Sequence, residues 1–195
     1  MVMPYKAIRC ARVFSPFVGA GIIAFASMFM SCTDPVRAQR IAALGGEDPA
    51  VPTGPLHRPS QPCVLCHSDG GPASDAPFAV AGTVFATNAP DSDGAAMVQV
   101  LFVDSNSATR RADTNEVGNF FIVQSDWSDL AFPFKVGLLS TDGKQVPMNS
   151  TVNREGSCNF CHRPVTGSKL ALPTDDPRSS IPQIFVAAQA AGGTP

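Results

Sequence analysis

Apolar residues recur in short alternating runs between positions 78 and 148, and that period of two predicts strands rather than helices. Phe78 to Phe85 is the first run, with Gly82 inside it marking a bulge or a close approach. In the next, Ala96 to Val103, the residues Ala96, Val98, Val100 and Phe102 form one wholly apolar face, as a core-facing strand requires. Met97 falls inside that run, where packing accounts for it better than ligation. Thr109 to Thr114 is more polar and reads as an edge strand. Asn119 to Val123, Phe132 to Leu139 and Lys144 to Met148 complete the set, with Asp142-Gly143 as a hairpin signal before the last. Six short strands at this spacing predict an all-β fold, an antiparallel β-sandwich over residues 78–150. The flanking segments 32–77 and 151–168 read as loop-rich. The tail, 169–195, reads as extended, with Ile181 to Val186 a candidate terminal strand.

The N-terminus has another pattern. Lys6, Arg9 and Arg12 precede an uncharged apolar stretch from Val18 to Met30, which reads as a secretion signal over residues 1–31 and is too short to span a membrane. Two exits fit. Phe29-Met30-Ser31-Cys32 resembles a lipobox whose cysteine is acylated, and Val36-Arg37-Ala38 before Gln39 satisfies the small-x-Ala rule for ordinary release. The lipobox is the preferred reading, giving a lipid-anchored protein, periplasmic or outer-membrane-associated; either exit leaves the cytoplasm.

Composition removes several function classes. The 195 residues carry 14 Lys+Arg against 16 Asp+Glu, so there is no basic surplus for nucleic acid. Without Lys6, Arg9 and Arg12 the balance is 11 basic against 16 acidic residues, a formal charge of −5. The 18 prolines and 16 glycines argue against an all-α bundle.

The six cysteines carry the chemistry. Cys10 leaves with the signal and Cys32 takes the lipid. The remaining four form Cys63-Val64-Leu65-Cys66-His67 and Cys158-Asn159-Phe160-Cys161-His162, two copies of C-x-x-C-H. Two thiols three positions apart suit the two vinyl groups on one haem edge, and the following imidazole is the proximal iron ligand. Two haem c groups are therefore expected, on Cys63, Cys66 and His67 and on Cys158, Cys161 and His162. Redox disulfides or a four-thiolate zinc site are the alternatives. Disulfides give no reason for both histidines, and the 95-position separation is unlike a compact zinc ribbon.

Two haems use up to four axial ligands, and the chain has three histidines, so bis-histidine ligation of both within a monomer is excluded. His57, six positions before Cys63 in a Pro-punctuated segment, is the favoured distal ligand, of its own haem or of the other; an unengaged loop histidine is the alternative. Met148, ten positions before Cys158, is a candidate thioether ligand of the second haem. Arg58, Arg154 and Arg163 flank the motifs and suit haem propionates, although solvated surface positions explain each more simply. Asp91-x-Asp93-Gly94 lacks the later Glu of a calcium loop and reads as a turn. No Ser-His-Asp set can be built.

Gly82-Thr83-Val84, Gly94-Ala95-Ala96-Met97-Val98 and Thr114-Asn115-Glu116-Val117-Gly118-Asn119-Phe120-Phe121 resemble the carboxypeptidase regulatory-like, or transthyretin-like, β-sandwich, in which such a Thr-Asn-x-x-Gly-x-Phe turn joins two strands. With a C-x-x-C-H before that unit and Gly156 to His162 after it, the arrangement is similar to exported multihaem cytochrome c-like lipoproteins of the myxobacterial type. The resemblance covers roughly residues 32–163 and implies a redox role with partner proteins of the cell envelope. It carries no catalytic residue over. The expectation is a dihaem c-type electron-transfer lipoprotein, a carrier rather than an enzyme. Its rivals are a peroxidase-type haem enzyme with one open iron and a haem-free transthyretin-like binding module with disulfides or zinc.

Overall fold

The structure, a computed structural model, describes residues 34–89, 91–163 and 183–186. The secretion signal, the lipobox with Cys32 and most of the tail lie outside them. The first described residue, Asp34, caps a helix: its carboxylate accepts from the Val36 N–H at 2.9 Å and Pro35 opens the first turn of α1 (Pro35–Ala43). A loop was expected here. None of the nine helical residues is buried. A single helical turn follows, α2 (Cys63–Cys66).

Six strands then form two antiparallel sheets: β1 (Phe78–Thr83), β2 (Gln99–Val103), β3 (Thr109–Asp113), β4 (Asn119–Val123), β5 (Lys135–Leu139) and β6 (Gln145–Pro147). One sheet is β1-β4; the other has the order β3-β2-β5-β6. The described chain is thus mostly antiparallel sheet with few helical residues, an all-β fold. β3 lies at a sheet edge with alternate residues exposed, as its polar sequence predicts. Asp142-Gly143 makes the β5–β6 hairpin, Gly143 taking φ +81°. The Asn115 turn carries the chain from the second sheet to the first: its side chain accepts from the Val117 and Asn119 N–H groups, and Gly118 turns at φ +78°.

Apolar residues of both sheets meet in one cluster. Val80, Phe120 and Ile122 come from β1 and β4; Val100, Phe102 and Leu138 come from β2 and β5. Phe102 is central, its ring 6.1 Å from Phe120, 5.9 Å from Trp127 and 6.1 Å from Phe134. Ala96 departs from the expected core face and Met97 from the expected packing within the strand: β2 begins at Gln99, Ala96 is exposed, and Met97 is 73% exposed with φ +59°. The cause is the Thr114 side chain, which accepts from the Val98 N–H and donates to Ala95 O, turning the chain before the strand begins. Packing therefore does not account for Met97.

β1 is the element that positions the site. One edge pairs with β4. Along the other, the Ala81 N–H donates to Gly156 O at 3.0 Å, and farther on the Phe85 N–H donates to Ile184 O at 2.8 Å. Residues 183–186 make a parallel bridge there rather than a full strand. Gly82 is the close approach: a Cβ there would lie 2.8 Å from the Cys158 Cβ, whereas the register irregularity falls earlier, between Phe78 and Val80.

Candidate functional site

Both C-x-x-C-H motifs fold into a single helical turn, α-helical at Cys63–Cys66 and 3-10 at Cys158–Phe160. In the first, the His67 N–H donates to Cys63 O at 2.9 Å; in the second, the His162 N–H donates to Cys158 O at 2.9 Å, with Cys161 N also bonded to Cys158 O at 3.2 Å. A helical turn puts residues three apart on one side, so the thiols of each pair share a face. None of the four is in a disulfide. Burial pushes the half-buried Cys63 thiol up to about 12, and burial followed by the neighbouring Cys63 sulfur does the same at Cys158. Burial also raises Cys66, against Arg58 and Arg37, whose charges act the other way. The three are neutral thiols near neutral pH.

Both motifs pack against β1. Cys158 lies over Gly82 beside the free edge, and α2 also contacts this strand.

Around the first motif three imidazole and phenyl rings form a row. His67 stacks on Phe78 at 4.1 Å, and Phe78 stacks on Phe121 at 4.7 Å, where Phe121 is 39% exposed. His67 Nδ1 bonds Ala76 O at 2.8 Å. A carbonyl only accepts, so Nδ1 carries the proton and the neutral ring keeps its lone pair on Nε2. His57 is arranged alike, its Nδ1 bonding Gly54 O, and its ring centroid lies 5.8 Å from that of His67.

The His57 segment is fixed to the sheet by a buried polar set. Asn119 Nδ2 donates to His57 O at 3.0 Å and to Pro55 O at 3.2 Å. The Thr83 hydroxyl donates to Asn119 Oδ1 at 2.8 Å and accepts from the Ser60 N–H at 2.7 Å. Arg58 and Ser60 have φ +50° and +68°, left-handed conformations that cost non-glycine residues about 1–3 kcal/mol each. Arg58 is no solvated surface residue: it pairs with Glu47 at 2.6 Å and donates to Gly45 O and Gln61 Oε1, each at 2.7 Å.

The second motif has other surroundings. Asn159 and Ser157 are 1% and 2% exposed, and Asn159 Oδ1 and Ser157 Oγ have no hydrogen-bond partner. Asn159 Nδ2 donates to His162 O at 3.2 Å. Met148 follows β6, at the outer edge of the sheet that does not carry the motifs, and its N–H donates to Val136 O at 2.9 Å.

Two residues to which the sequence assigns no role at the motifs, Arg37 of the candidate cleavage site and Arg40, join the motifs to α1. Arg37 donates to Leu65 O at 2.7 Å, to Asp69 O at 2.6 Å and to the Ser68 side chain. The Arg40 guanidinium sits 4.9 Å from the centre of the Phe160 ring. The Asp34-Pro35 cap was the legible signal for the helix; nothing local in the sequence tells where the two arginines reach.

These residues fit covalent haem: each motif pairs two reduced thiols on one helical turn and follows them with an imidazole, and at His67 the tautomer leaves Nε2 for ligation. Among the described residues, no group of three or more His, Cys, Asp or Glu is gathered around one point for a metal ion. No helix among them is long and apolar enough to cross a membrane. Comparison with protein-family models, curated proteins and solved structures found no match to this chain.

Proposed function

We propose that this chain is an exported dihaem c-type cytochrome, an electron-transfer lipoprotein of the cell envelope. The observation that carries the proposal is that each motif closes on the same hydrogen bond, from the His67 N–H to Cys63 O and from the His162 N–H to Cys158 O, together with the His67 Nδ1 bond to Ala76 O. Cys63, Cys66 and His67 would hold one haem, and Cys158, Cys161 and His162 the other. The group supplies a reversible one-electron centre. The chain's part is to hold two such centres against a single strand, β1, and to present the row His67, Phe78, Phe121 as an aromatic path to the surface. On this reading the two sheets form a transthyretin-like sandwich that serves as a rigid frame.

The lipid anchor has support from α1. Release after Ala38 would cut through the helix Pro35–Ala43 and discard Arg37, whose guanidinium holds the first motif; acylation at Cys32 leaves both intact. Redox partners in the envelope would then meet a protein tethered just before α1.

A second reading, a peroxidase-type enzyme with one open iron, is favoured by the count of three histidines for two irons. One experiment separates these from the haem-free module. The chain is expressed with haem c attachment machinery and its intact mass and pyridine haemochrome spectrum are taken. A mass gain of two haems is expected. Unmodified cysteines, disulfides or acid-labile zinc would overturn the reading, and peroxide turnover would move it to the enzyme.

A further inference from the structure

We infer that His57 and His67 ligate the same iron, so that the first haem is the bis-histidine one and the second has no second imidazole. The inference rests on the haem c reading above and goes beyond it, because the sequence leaves open which haem His57 would serve.

Four observations bear on it. The His57 and His67 rings are 5.8 Å apart and inclined by 32°, close enough to address one metal ion. Each has its Nδ1 on a backbone carbonyl, Gly54 O and Ala76 O, which leaves Nε2 of both as the ligating atom. The backbone at His57 is held from β1 and β4: the Thr83 hydroxyl donates to Asn119 Oδ1, and Asn119 donates to His57 O. Finally, the left-handed conformations of Arg58 and Ser60 flank the histidine on its C-terminal side. Backbone strain of that kind persists where surrounding structure enforces it, and it concentrates at ligand sites. An unengaged loop histidine needs none of this. The chain has no fourth histidine, so the iron on His162 takes a thioether, an exogenous small ligand, or nothing opposite its proximal ring.

The test uses full-length dihaem protein and two single-motif variants, Cys63→Ala/Cys66→Ala and Cys158→Ala/Cys161→Ala, each with and without His57→Ala. Haem content is read by intact mass and spin state by electron paramagnetic resonance. The protein keeping only the first motif should be low-spin and turn high-spin with His57→Ala, while added imidazole restores the low-spin signal. The protein keeping only the second motif should not respond to His57→Ala. In the dihaem chain, His57→Met should keep the first haem low-spin but add a thioether-to-iron charge-transfer band, a readout independent of whether the cysteine variants fold. Two attached haems with spin states indifferent to His57, or a response confined to the second motif, would overturn this inference alone. A wild-type chain carrying no haem would overturn the function proposed above and this inference with it.

Discussion

The two C-x-x-C-H motifs share a backbone and differ in nearly everything around it. At the first, His67 stands in a row of stacked rings, has a second imidazole 5.8 Å away, and is served by a loop fixed through Asn119 and Thr83. At the second, the chain lies along the free edge of β1, Cys158 fits over Gly82, and two buried polar atoms, Ser157 Oγ and Asn159 Oδ1, lack partners. Local residues determine the turn, because its hydrogen bonds close among the motif and the residue just before it. Distant residues determine what each turn can do. If both carry haem, equal motifs give unequal centres: one enclosed by ligands, the other dependent on what reaches its iron.

Changes that strike both motifs together would break that contrast. Phe102→Ala removes the ring shared by both sheets and should cost about 3–5 kcal/mol, so haem content at both motifs should fall together. Chemical denaturation beside intact mass would measure this. Loss at only one motif would mean that the two-sheet body is not their common support. Asn119→Ala should be selective. It leaves buried partners around Thr83 and the His57 carbonyl unpaired, at about 2–3 kcal/mol, and should convert only the first haem toward high spin. Gly82→Ala should do the reverse. Its new Cβ would lie 2.8 Å from both the Cys158 Cβ and the Phe120 ring, for about 1–2 kcal/mol of crowding, and should reduce attachment more at the second motif than at the first.

The thiols sharpen the contrast between free and haem-bearing chain. Cys63 and Cys158 are both raised from 9.0 to about 12. The folded state therefore holds these protons more tightly than the unfolded one between pH 9 and 12, and stability should be full below pH 9 and fall as pH rises through that window. Thioether bonds remove both groups from titration. Denaturant midpoints across pH 8–12 should slope downward for haem-free protein and lose that contribution once both motifs are filled; identical slopes would show that these two cysteines carry no thioether.

Much of the body was legible because alternation reports burial directly. All six strands lie within the predicted runs, and Asn119–Val123 matches end to end. The errors have physical causes. Ala96 and Met97 continue the apolar alternation of β2, but the Thr114 hydroxyl competes for the backbone at Ala95 and Val98 and delays the strand to Gln99. The motifs were legible as chemistry because the spacing of two thiols and an imidazole is itself the signal. Their partners were not. His57 was visible as a residue, yet its approach to His67 depends on Asn119, which is 62 positions away in sequence, and no local pattern encodes such a bond. Arg37 and Arg40 likewise act across 28 or more positions, from a helix with no buried face.

The smallest expected effect falls on that helix. Arg37 grips the first motif and the two residues after it through four groups, three of them backbone carbonyls, while Arg40 reaches the second through the face of Phe160 at 4.9 Å. A partly solvated cation over a phenyl ring contributes about 0.5–1 kcal/mol, so Arg40→Ala should lower stability by no more than that. It should leave the first motif unchanged and speed hydrogen exchange at Phe160 and Cys161, because α1 would then hold one motif instead of two. If exchange quickens equally around Leu65 and Ser68, α1 moves as a unit and the motifs are coupled through it. In that case the helix following Cys32 is the element that makes the two centres respond together, and β1 supplies only their spacing.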